Sequence, residues 1–111
     1  MVKHIVMFDF KDENKQENIV KAKAMLEALI NSVPSLERME VGINFANEAR
    51  AMDLSIYTEF TDKAGLEAYA IHPAHLEVVA FIKTVVTDSK VVDYHIIEKN
   101  HLSLGGGVVK K

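Results

Sequence analysis

The chain has 111 residues, 13 of them basic and 16 acidic, for a formal net charge of -3. That length holds one ordinary domain, and a mildly acidic balance supplies no general attraction to nucleic acid or anionic lipid. The absence of cysteine excludes disulfides, thiolate zinc sites and cysteine nucleophiles.

The amino terminus, MVKHIVMFDF, meets Asp9 before an apolar run of signal-peptide length can form. No window holds the ~18 consecutive apolar residues of a membrane-spanning helix. These features predict a cytoplasmic protein with no membrane partner. From Val2 to Phe10 the residues alternate, with Val2, His4, Val6, Phe8 and Phe10 on one face and Lys3, Ile5, Met7 and Asp9 on the other. Period-two patterning predicts a strand. A charged stretch from Lys11 to Glu17 leads into a helix, where Ile19, Ala22, Leu26, Leu29, Ile30 and Val33 recur at steps of three and four. Pro34 ends it, because the residue before a proline avoids the helical conformation.

Leu36 to Phe45 reads as a second strand, with a bulge or bend expected at Gly42. A polar hairpin loop, Ala46 to Met52, joins it to a third strand at Asp53 to Phe60. Thr61 or Asp62 can cap the helix that follows. Its pattern runs from Lys63 to about Val86 and breaks at His72-Pro73, with Pro73 suited to the first turn of a second segment. Lys90 to Ile97 reads as the last strand. The order is strand, helix, strand, strand, helix, strand, which predicts an α+β, ferredoxin-like βαββαβ subunit. The tail at 100–111 carries Gly105, Gly106 and Gly107 in a row and is expected to be flexible or docked on a partner.

Helices cover only one face of such a sheet. The helix-side set is His4, Val6, Phe8, Leu54, Ile56, Phe60, Val91, Asp93 and His95. The other face carries Ile5, Met7, Tyr57, Val92, Tyr94 and Ile96, an apolar band larger than a monomer leaves in water. A second copy related by a two-fold axis would cover it. That predicts a homodimer in which two four-stranded sheets form an eight-stranded α/β barrel; the alternative cover is the tail.

A few polar residues interrupt the apolar patterns. His4 and Asp93 sit on strands, while Tyr69, His72 and His75 succeed one another by single helical turns. A histidine moves its proton near neutral pH, a carboxylate can fix its tautomer, and a tyrosine hydroxyl can bond a carbonyl oxygen as charge develops. Such a set suits proton abstraction beside a carbonyl, hence enolisation or aldol chemistry, with no metal and no cofactor. Each residue also has a structural reading: a satisfied core histidine, a buried aromatic, a loop-capping aspartate. His72 and His75 share a helix face as metal ligands do, but no third ligand stands at a recognisable spacing. His95 and His101 belong to no motif. Phosphate loops, dinucleotide fingerprints, serine elbows and basic clusters interleaved with aromatics are all missing.

Three segments, VKHIVMFDFKDE, GLEAYAIHPAHLEVVAFI and VVDYHI, together resemble the stress-responsive dimeric α/β-barrel (Dabb) family. The likeness runs from Val2 to Ile97 and is most specific in the stretch from Tyr69 to His75 combined with Lys3-His4. It implies a Dabb domain over residues 1–99, a ferredoxin-like subunit and a face-to-face dimer. The family includes plant polyketide cyclases of the olivetolic acid cyclase type, in which a Tyr and a His of the Y-x-x-H-P-x-H stretch act in an intramolecular aldol condensation. By motif position the resemblance makes Tyr69 and His75 catalytic, with His75 as general base and Tyr69 holding the carbonyl. It places His4 and Asp93 in the same pocket, with Asp93 orienting His75; Val6, Phe8, Ile56, His72 and Val79 are the remaining expected substrate-binding residues. The first helix departs from the pattern, offering Ala22 and Leu26 with no bulky inward aromatic, so the pocket need not fit a long alkyl-resorcinol precursor. The functions in view are a cofactor-free lyase or cyclase for a small carbonyl-containing ligand, a non-enzymatic stress-responsive binding dimer, and a cofactor-independent monooxygenase of the related barrel type.

Overall fold

A computed structural model describes residues 1–96. Ile97, His101 and the tail at 100–111 lie outside the described residues, as do the expectations attached to them. The elements follow as β1 (Val2–Phe10), α1 (Lys15–Ala28), β2 (Arg38–Ile43), β3 (Leu54–Phe60), α2 (Lys63–Ile71), α3 (Pro73–Val85) and β4 (Val86–His95), with a short 3-10 turn at Leu29–Asn31 after α1. The strands make one antiparallel sheet in spatial order β2-β3-β1-β4. This is the ferredoxin-like arrangement. Among the described residues no helix is long and apolar enough to cross a membrane.

The periodicities that identify the elements also build the core. α1 buries Ile19, Ala22 and Leu26, and Leu29 and Val33 continue the stripe. Ile30, expected in the same stripe, is 40% exposed, since the 3-10 turn winds the chain more tightly at this point. Asp62 caps α2 by accepting the Gly65 N–H at 2.9 Å. Pro73 opens α3, and the preceding His72 is extended, as a residue before proline must be. That extended residue is the break between the two helices.

Three features depart from the sequence reading. β4 begins at Val86, directly from α3, rather than at Lys90. Its first residues, including Thr87, Asp88 and Ser89, are polar and lie on an edge open to water, where charged and polar residues suit a strand and no apolar alternation is needed. Gly42 makes no bulge, because β2 pairs with β3 in unbroken register from Arg38 to Ile43. The irregularity falls instead between Asp9 and Phe10, against the start of β4, where Asp53 Oδ2 accepts the Phe10 N–H at 2.8 Å. β2 is also shorter than the expected Leu36–Phe45.

The helices cover β3 and β1 but stop short of β4. Leu54, Ile56, Thr58 and Phe60 are all buried on the helix side. Val91 and Asp93 share that side by their pairing with Val6 and His4, yet both are exposed, as is His95. The helix-side set expected from sequence is therefore right in register and wrong in cover at the edge strand.

Candidate functional site

Where the helices end short of β4, a cavity of about 200 Å3 opens between α3 and β1. α3 lays His75, Val78, Val79 and Ile82 along it, the three-four spacing of a single helical face. β1 contributes His4, Val6 and Phe8, alternate residues of one strand face. Leu26, Ile56, Tyr69, Lys83, Val86 and Ser89 complete the lining.

Tyr69 stands in the last turn of α2 and is 2% exposed. Its ring lies 5.1 Å from Phe60, 4.2 Å from His75 and 6.1 Å from His4, centroid to centroid. Burial pushes its hydroxyl up to about 12, since the phenolate would lose hydration there. The group is thus a proton donor across the neutral range.

His75 follows in the first turn of α3. The helix break folds it back on the end of α2, so that its Nδ1 lies 3.1 Å from the Ala70 carbonyl. A carbonyl only accepts, which puts the proton on Nδ1 and leaves the Nε2 lone pair available. Half-burial pulls the His75 pKa below its ordinary value; the nearby His4 and His72 add to the effect and the Ala70 carbonyl opposes it. A neutral imidazole at pH 7 is the state that can take a proton.

His4 is pinned from both sides. Thr58, fully buried on β3, donates its hydroxyl to the His4 carbonyl at 2.7 Å. On β4, Asp93 Oδ1 stands 2.5 Å from His4 Nδ1. A carboxylate accepts here, so Nδ1 carries the proton and the tautomer of His4 is set. Asp93 therefore orients His4 and not His75, correcting the role carried over from the motif. Its side chain is 47% exposed and borders a different hollow, with Val2, Lys63, Leu66, Tyr94 and His95.

Of the residues expected from sequence, Tyr69, His75, His4, Val6, Phe8, Ile56 and Val79 all line the cavity, while His72 and Asp93 do not. His72 instead caps α3, its Nδ1 accepting the Ala74 N–H at 3.0 Å. Sequence reasoning missed Val78, Ile82 and Lys83, although their steps of three, seven and eight from His75 place them on its helix face. It missed Ser89 because the start of β4 reads as loop. Among the described residues no three His, Asp or Glu side chains gather as metal ligands. A hollow of about 290 Å3 on another part of the sheet, lined by Met7, Gly42, Ile43, Asn44, Met52, Leu54 and Ser55, contains no titratable side chain.

The likeness to known proteins covers all of these elements. The sequence model of the Stress responsive A/B Barrel Domain matches residues 2–96. The stress-response A/B barrel domain-containing protein At5g22580 of Arabidopsis thaliana is 27% identical over 94 residues, 85% of each chain. Among solved structures, a dimeric ferredoxin-like protein from Bacteroides fragilis is 29% identical, with a TM-score of 0.78 over 86% of this chain and 95% of its own. The hydroxynitrile lyase of Passiflora edulis has the same fold at a TM-score of 0.78 and 22% identity, over 88% of this chain and 94% of its own. With a family match that spans every strand and helix from β1 to β4, this chain belongs to the stress responsive A/B barrel domain family.

Proposed function

We propose that this chain is a cytoplasmic homodimer that binds a small carbonyl compound and acts on it as a cofactor-free lyase or cyclase, without nucleic-acid or membrane partners. The observation that carries the reading is the Tyr69–His75 pair, 4.2 Å apart at the inner end of an apolar cavity. Burial keeps one group protonated and the other neutral. In the reaction, His75 Nε2 takes the proton from the carbon beside the carbonyl. The C–H electron pair becomes the enolate double bond, and the oxygen gains the negative charge. Tyr69 donates a hydrogen bond to that oxygen, in a space whose low polarity strengthens the bond. The enolate carbon then attacks a second carbonyl of the same molecule, and the imidazolium returns its proton to the new alkoxide. His4, its tautomer held by Asp93, bounds the same end.

Assembly rests on the outer sheet face, where Met7, Val92, Tyr94 and Ile96 are 38%, 50%, 41% and 45% exposed. A second copy of the same face covers them, as in a dimeric barrel. Light scattering at micromolar concentration tests this, and a monomeric mass removes it.

The experiment for the chemistry is a screen of small carbonyl compounds for heat stabilisation, wild type against His75→Ala. A ligand at ~100 times its dissociation constant adds about 2.7 kcal/mol. Turnover of the stabilising compound by the wild type alone is the expected result. Stabilisation of both proteins without turnover leaves a binding dimer, and oxygen consumption points to the monooxygenase alternative.

A further inference from the structure

The cavity has a second polar end that the chemistry above does not use. Along α3, His75 and Lys83 share the cavity face and stand roughly 12 Å apart by helical rise. Along β1, His4 and Phe8 are about 13 Å apart, and Ser89 of β4 is the partner of Phe8. His4 and His75 therefore mark one end of the space, and Phe8, Ser89 and Lys83 the other. Tyr69 closes the first end at 2% exposure. Lys83 and Ser89 are exposed, so theirs is the mouth. Between the ends the walls are hydrocarbon: Val6, Ile56, Val79 and Ile82. The lysines engaged in ion pairs among the described residues are Lys3, Lys15, Lys23 and Lys90, which leaves the ammonium of Lys83 without a carboxylate there.

We propose that Lys83 and Ser89 receive an anionic terminus, which makes the ligand an oxo-carboxylate. Its two reacting carbonyls lie at the inner end, one of them against Tyr69 and His75, a short hydrocarbon chain fills the middle, and its carboxylate meets the Lys83 ammonium and the Ser89 hydroxyl at the mouth; a mono-ketone acid stands in for it as a binding probe. The inference rests on the carbonyl reading for the inner end and adds the charge and length of the substrate. A charge pair at a wet mouth contributes modestly and is weakened by salt, whereas the apolar middle supplies area.

The test is calorimetric binding of 7-oxooctanoate, its methyl ester and octanoate to the full chain. The ester keeps the ketone and loses the charge; octanoate does the reverse. Wild type is expected to bind 7-oxooctanoate about fivefold more tightly than the ester, with the preference shrinking as salt rises. Lys83→Met removes that preference, and Lys83→Arg retains it. Tyr69→Phe weakens both ketones alike and spares octanoate. Equal binding of acid and ester by wild type, a preference that survives Lys83→Met, or no binding of 7-oxooctanoate overturns the proposal. If Lys83→Met has its effect and Tyr69→Phe has none, the carbonyl reading falls and the anion mouth stands; with the opposite pattern the anion mouth falls and the carbonyl reading stands.

Discussion

On the helix side of the sheet, Leu54, Ile56, Thr58 and Phe60 of β3 are each no more than 3% exposed. On the other face, Val92 and Tyr94 of β4 are 50% and 41% exposed. Both strands pair with β1 in antiparallel register, so backbone hydrogen bonding does not distinguish them. What differs is the cover. The first surface is completed by the chain's own helices and holds the fold; the second presents apolar groups that a single chain leaves in water. The cavity lies on the helix side at the limit of that cover, where α3 overhangs β1 but does not reach across β4. Ionisable groups placed there are partly dry, which is why Tyr69 and His75 depart from their ordinary acidities.

The sharpest contrast comes from truncation. Phe60→Ala removes a fully buried ring and is expected to cost about 3–5 kcal/mol in denaturant unfolding; a loss under about 1 kcal/mol would contradict the assignment of the core to this face. The alkaline side comes next. The Tyr69 hydroxyl lies at about 12 in the fold against an ordinary 10.0, so above pH 10 the unfolded chain releases a proton that the folded one keeps. Stability then falls as pH rises from 10 to about 12, by up to about 2 kcal/mol, and Tyr69→Phe flattens that slope. Thr58→Val removes the hydroxyl bond to the His4 carbonyl, for about 1 kcal/mol.

Effects on the bare face should be smaller for the fold and larger for assembly. Val92→Glu changes the stability of each chain by no more than about 0.5 kcal/mol, yet the mass in light scattering halves, and the unfolding midpoint no longer rises with protein concentration. Smallest is the acid response of His75. Its pKa is lowered from 6.5, so the unfolded chain takes up a proton first, and stability declines as pH falls through 6.5 toward the folded value. In the proposed reaction His75 acts as the base and must be neutral, so the acid limb of kcat/KM is expected below 6.5 and turnover is expected to be lost in His75→Gln.

Much of this arrangement can be read from residue order, and the failures share a cause. The bounds of β1 at Val2 and Phe10 are legible because both faces of a central strand carry a strong alternation. Pro73 and Asp62 announce the helix starts through backbone chemistry that acts locally. Val86 to Ser89 give no comparable signal, because β4 runs at the sheet edge beyond the helices and Thr87, Asp88 and Ser89 are exposed, so these residues need not alternate. Misreading that edge hides Ser89 from the site. The partner of Asp93 is equally hidden: register across β1 and β4 decides that it meets His4, and nothing along the chain states that register. His72 belongs to the right motif, but a side chain that caps a helix and one that binds a ligand look alike in sequence.

α3 passes into β4 between Val85 and Val86 with no residue to spare. Adding or deleting one residue at that seam would turn the helix by about 100° or reverse which way every side chain of β4 points. Asp93 would swing away from His4, with Val92 taking its place on an insertion and Tyr94 on a deletion. Length variation among relatives should therefore be absent at this junction and tolerated at the hairpin between β2 and β3, where ten residues separate the strands.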